Sequence, residues 1–175
     1  LDALVKEGSV AQSGAFVHLP EHGSQLAARD ETLLQRLTPH LMEAGAQGAW
    51  VRDLAEHIGE PAANLRPAMA RLARSGHLYQ VVKDLYLDAA TAARLAALVR
   101  QLALADTEAA KATDVQRASN PLPILKVAEF RDASGLGRKR AVQMLEFFDR
   151  IGLCRRVGDT HVLRLESEVF KGSSE

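Results

Sequence analysis

Phe148-Asp-Arg-Ile-Gly152, followed by Leu153-Cys-Arg-Arg-Val-Gly-Asp-Thr-His-Val-Leu163, sets the fold. An apolar residue stands four before a glycine and a leucine eleven after it. The same spacing occurs at Leu72, Gly76 and Leu87, and again at Leu4, Gly8 and Leu19. Each copy has one physical reading. A helix closes on glycine, which takes the left-handed conformation of a C-terminal cap. A strand rich in Val, Leu or Tyr follows. The chain then turns at Ser13-Gly14, Lys83-Asp84 or Gly158-Asp159, and a second strand returns to the leucine.

Working outward, three helices precede the second copy. Asp30–Ala44 carries Leu33, Leu34, Leu37 and Leu41 on one stripe, with Asp30 placed as N-cap. Trp50–Ile58 is short, with Trp50, Leu54 and Ile58 at i, i+4 and i+8. A third runs to Ser75 with Leu65, Met69 and Leu72 inward, and tolerates Pro67 only if its first turn is loose. The order recurs before the third copy: a helix over Ala90–Ala105, a polar loop over Asp106–Pro123, then helices over Val127–Ala133 and Gly137–Ile151. Helix, short helix, longer helix and hairpin make a winged helix. The expected class is mainly α with small β-hairpins (α+β), as tandem winged-helix domains. Residues 1–28 are expected to close a truncated copy, 29–88 and 89–165 to form whole ones, and 166–175 to form a tail.

The 175 residues are 47% hydrophobic and 25% charged, ordinary for a globular chain and unlike a disordered or fibrous one. Cys154 stands alone, which excludes an intrachain disulfide or a CxxC zinc site and implies a reducing, cytoplasmic compartment. Arg94 and Arg100 interrupt the most apolar helical run, so no membrane span is expected. The start, Leu1-Asp-Ala-Leu-Val-Lys-Glu7, resembles neither an initiator nor a signal peptide and suggests a piece of a longer protein. Gly135-Leu-Gly-Arg-Lys139 lacks the spacing of a phosphate loop, the six histidines lack ligand spacing, and no Ser, His and Asp are placed as a triad. Neither catalysis nor a metal site is expected.

The chain has 22 basic and 22 acidic residues, yet the zero balance hides an asymmetry. Residues 1–106 have a net charge of −2, whereas Arg131 to Gly158 hold seven basic residues against three acidic ones. On the 137–151 helix, Ala141, Val142, Leu145 and Phe148 form the core face. Lys139, Arg140, Gln143, Phe147 and Arg150 lie opposite, and Arg138 in the first turn can reach past the helix end. The preceding Ser134-Gly-Leu-Gly137 leaves backbone N–H groups accessible at the positive end of the helix dipole, a setting for phosphate. Arg155 and Arg156 point to opposite faces of the wing strand. His161 is the one histidine placed near this site. The competing reading is a solvated basic face with ion pairs such as Arg150 with Glu146.

The string Phe130-Arg-Asp132, Gly135-Leu-Gly-Arg-Lys139, Leu145-Glu-Phe-Phe-Asp-Arg-Ile-Gly-Leu153 and Arg155-Arg-Val-Gly-Asp159 resembles the last winged helix of the bacterial selenocysteine-specific elongation factors, the SelB family. Val17-His-Leu-Pro20 is similar to the end of that family's second winged helix, and 29–88 to its third. The resemblance implies an mRNA-binding arm without its GTPase. GTP would bind in a missing N-terminal half, and no cofactor is expected in this segment. Its partners would be an mRNA stem-loop that recodes UGA (the SECIS hairpin) and, through the parent protein, selenocysteyl-tRNA and the ribosome. The arm would be monomeric and have no membrane partner. The implied RNA-binding residues are Gly137, Arg138, Lys139, Arg155, Arg156, Gly158 and Asp159, joined by Arg131, Arg140 and His161. Cations bunched at one helix end suit a compact RNA loop better than major-groove DNA. The alternatives are a winged-helix DNA-binding transcriptional regulator and a protein scaffold, for which no exposed apolar stripe is found.

Overall fold

The computed structural model describes residues 11–13, 16–18, 28–113 and 122–170. Contacts divide the chain into two units, the first running through Ala93 and the second spanning Arg94–Lys171.

In the first unit, β1 (Ala11–Ser13) pairs antiparallel with β2 (Phe16–His18). Gly8, Gly14 and Leu19 of this copy lie outside the described residues. There follow α1 (Ala28–Ala44), a 3-10 turn at Gly45–Gln47, β3 (Ala49–Trp50), α2 (Val51–Ile58), α3 (Ala62–Arg74) and the hairpin of β4 (Leu78–Val82) and β5 (Leu85–Asp88). The sheet order is β3-β5-β4. Leu37, Leu41, Leu54, Leu65, Met69 and Leu72 are buried together against Leu78. Burying each such side chain contributes roughly 1.5–3 kcal/mol, so the predicted stripes supply the core. Asn64 and Leu65 N–H both donate to Pro61 O, a shared first-turn bond upstream of Pro67. The carbonyl of Ala63 that loses a donor to Pro67 belongs to an exposed residue, which water can serve.

α4 (Ala89–Thr113) starts where Asp88 Oδ1 accepts the Thr91 N–H at 2.8 Å. It runs eight residues past Ala105, correcting the expected loop over 106–113. That stretch holds three alanines with a glutamate and a lysine, which favour helix irrespective of hydrophobicity. The rest of the expected loop, 114–121, lies outside the described residues.

The second unit continues with β6 (Ile124–Lys126), α5 (Val127–Ser134), α6 (Arg138–Arg150), β7 (Cys154–Val157) and β8 (Thr160–Leu163), in sheet order β6-β8-β7. Phe130, Leu136, Met144, Leu145, Phe148 and Leu153 are buried. The capping glycines of both complete copies are left-handed, with φ of 82° at Gly76 and 85° at Gly152. After β8 the chain is held by Arg100, whose Nη2 donates to the carbonyls of Ser167 and Val169, and Val169 and Phe170 are buried. The two units repeat with an offset of 76 residues, pairing Val51 with Val127 and Ala62 with Arg138 at the helix starts.

Four sequence readings are corrected. Asp30 lies inside α1, where Arg71 donates to both its carboxylate oxygens at 2.7 and 2.9 Å; the ion pair replaces a cap. Trp50 belongs to β3 and is 38% exposed, leaving Val51 to fill the core. Phe147 is buried, with Arg150 over its ring at 5.7 Å, whereas Val142 is only half-buried. Cys154, which a strand residue flanked by Arg155 and Arg156 would leave half-buried, is wholly enclosed.

Candidate nucleic-acid interface

The site grows from the turn between α5 and α6. Helix α5 closes at Gly135 (φ 68°), and the Ser134 hydroxyl donates to Phe130 O at 2.6 Å. Leu136 then plugs the core, which fixes Gly137 as the N-cap of α6. Gly137 has φ −69° and accepts the Ala141 N–H at 3.0 Å. No side chain caps the helix, and its first turn holds no acid. That turn reads Arg138-Lys139-Arg140. Three cations on the positive end of a helix oppose the dipole. Local conflicts of this kind are expected at functional sites, and an anion at this end would relieve it.

The cations divide by surroundings. Arg138, Lys139 and Arg155 are exposed, with no acidic partner among the described residues. Arg131 is half-buried and paired with Asp132 at 2.6 Å. Arg140 donates to Gln143 Oε1 at 3.0 Å, and burial holds its guanidinium below the usual range. Arg156 Nε donates to Gly158 O at 3.1 Å, and its Nη1 lies 3.5 Å from Glu146. Glu146 therefore faces the wing and not Arg150, the expected i+4 partner.

A groove of about 690 Å³ runs between α5, the start of α6 and the wing. Arg131, Arg138, Arg156, Asp159 and His161 line it, with Lys126, Thr160 and the apolar Val127, Ala128 and Val142. Arg155 is absent from this lining, in keeping with strand alternation. Lys139, Arg140, Gly137 and Gly158 also stand outside it. At the wing tip, Gly158 has φ +60° and Asp159 is exposed. His161 is turned inward, 3% exposed, with Nδ1 2.9 Å from Asp149 Oδ2 but not aligned for a hydrogen bond. It touches the groove from beneath.

Sequence reasoning missed Lys126 and Thr160. Lys126 sits on β6, a three-residue strand with no periodicity to show its facing. Its Nζ lies 3.0 Å from Glu129 and 3.7 Å from Asp106, and the Glu129 bond raises the ammonium above its usual range.

A solved structure described as the mRNA-binding domain of elongation factor SelB from E. coli in complex with SECIS RNA is 32% identical to this chain. The match covers 79% of this chain and 99% of that one, with a TM-score of 0.62. The chain belongs to the SelB family. A family profile described as "Elongation factor SelB, winged helix" matches residues 120–163, which include the whole of this groove. The selenocysteine-specific elongation factor of Haemophilus influenzae is 31% identical over 97% of the chain, and that of Escherichia coli 30% over 94%. The chain spans about a quarter of the length of these curated relatives, 25% and 24%. Tandem winged helices with small antiparallel sheets are thus the architecture of a SelB arm. Among its described residues no helix is long and apolar enough to cross a membrane.

The 76-residue offset shows how the two units of this SelB arm differ. Arg131, Arg138, Lys139 and Arg140 correspond to Ala55, Ala62, Ala63 and Asn64, and Arg156 to Gln80. One scaffold carries the cations at its tip, and its copy carries none of them.

Proposed function

We propose that this chain is the mRNA-binding arm of a selenocysteine-specific translation elongation factor, and that the end of its second unit holds a SECIS-type hairpin at a recoded UGA codon. One observation carries this reading: Arg138, Lys139 and Arg140 crowd the uncapped positive end of α6 with no acid in the turn. A sharply bent RNA backbone would place phosphates against Arg138, Lys139 and the first-turn N–H groups, with Arg140 held back against Gln143. The groove behind them, apolar at Val127, Ala128 and Val142 and rimmed by Arg131, Arg138 and Arg156, would admit a base splayed from the loop. Gly158 and Asp159 would present the wing from the other side, with Arg155 on the outer face. The enclosed His161 would support the wing from below.

The chain itself binds and does not catalyse. GTP binding, selenocysteyl-tRNA and the ribosome would belong to the remainder of a longer, cytoplasmic parent, to which this arm is a monomeric adaptor. The matched relatives are translation elongation factors, which does not favour the DNA-regulator alternative. Titration of the chain with a labelled SECIS-type hairpin and with a duplex DNA of equal length tests the proposal. Preference for the hairpin is expected, and equal affinity would overturn it.

A further inference from the structure

We propose that the first unit carries a second RNA contact, in which Trp50 stacks an unpaired base and Arg52 and Lys83 hold the adjoining phosphate. Trp50 is the sole tryptophan of the chain and is 38% exposed. A surface indole offers a rigid stacking platform with little entropy to lose. It occupies the place that Lys126 takes in the second unit, at the edge between the short helix and the wing. Trp50, Arg52, Lys83 and Asp84 together line a recess of about 520 Å³.

The electrostatics favour an anion. Asp84 is engaged by Arg66 at 3.0 Å, so its charge is offset from outside the recess. The Arg52 side chain is 85% exposed and shares its charge with Asp53 only at 3.3 Å. Lys83 has no acidic partner among the described residues. The arrangement is also pre-set, because the Val51 N–H donates to Asp84 O at 2.9 Å and ties the wing turn to the start of α2. This recess is the first unit's counterpart of the groove: alanines stand at 55 and 62 where the other unit has Arg131 and Arg138, and Arg52 and Lys83 supply its cations instead. One ring beside two cations matches one nucleotide. A protein partner would instead seek several apolar side chains around the tryptophan, and the recess has none.

Because Trp50 is alone, the emission of the whole chain reports this site without a label. Titration with a short single-stranded oligoadenylate at low salt is expected to quench it to saturation, less strongly as salt rises. The Arg52→Glu/Lys83→Glu variant is expected to lose about tenfold or more in oligoadenylate affinity. Its affinity for the labelled hairpin, read by anisotropy, should stay within about twofold, since neither residue lies in the α6 site. Absence of quenching, quenching unchanged in the variant, or equal quenching by an acidic peptide would overturn the inference. Loss of hairpin preference with quenching intact would refute the function proposed above and leave this contact standing.

Discussion

Replacing Arg138 and Lys139 together with glutamine should change the salt dependence of hairpin binding more plainly than any other property. Each phosphate neutralised contributes about 0.7–0.9 to the slope of log affinity against log salt. Arg138, Lys139 and Arg155 have no acidic partner among the described residues and can each meet a phosphate. Arg131 and Arg156 already face Asp132 and Glu146. Three contacts give a slope of about −2 to −3, so raising salt from about 50 to 200 mM lowers affinity roughly 20- to 40-fold. The double variant keeps one such contact, and the same change should cost only about threefold. Fluorescence anisotropy of a labelled hairpin over five salt concentrations measures both slopes. A variant slope equal to that of the parent would show that these cations meet no phosphate, and the assignment of the α6 terminus would fall with it.

Glu146→Gln should strengthen hairpin binding severalfold at low salt, because it frees Arg156 from its facing carboxylate; unchanged affinity in the same assay would deny Arg156 a part in binding. Gly137→Ala should leave the unfolding midpoint unchanged, since φ is −69° and an added Cβ meets nothing within 4 Å, and a fall in hairpin affinity would then report close RNA approach. Gly158→Ala should destabilise the wing by about 1–2 kcal/mol through its positive φ, as read by chemical denaturation. Burial pushes the Cys154 thiol up to about 12, so alkylation should be slow until the chain unfolds, and stability should fall as pH rises above about 9, where the unfolded thiol ionises first. Hydrogen bonding from Arg71 holds Asp30 below its ordinary 3.8, so the stability it adds over Asp30→Asn is full above that pH. The gap between the two unfolding midpoints should close as pH falls through the depressed value.

Most residues of the periodic apolar stripes became core, whereas Trp50 and Val142 did not. Leu37 and Leu41, Leu65, Met69 and Leu72, and Leu145 and Phe148 are all core, and both capped hairpins turn where Lys83-Asp84 and Gly158-Asp159 foretold. The basic end of α6 was legible for the same reason, since a helix start and a charge run are both local. Strands β3 and β6 were not, because two or three residues cannot show alternation. Trp50 was misplaced because hydrophobicity alone put it inward, while the strand it joins turns it out. Asp30 read as a cap because its partner, Arg71, lies 41 residues away, where no local pattern can reach. Lys126 shared that fate: its place in the groove follows from pairing with β8, not from its neighbours in sequence.

The uncapped, triply basic start of α6 has a further consequence for how such a domain can change. On the function proposed above, an acid at position 138 or 139 would suit the helix and repel the RNA. Selection for thermal robustness and selection for hairpin affinity therefore pull the same codons in opposite directions. A library of this arm screened only for heat tolerance should drift toward Asp or Glu there and become better folded and deaf to its message. The alanines at 62 and 63 feel no such tension, and that first turn is free to follow stability alone.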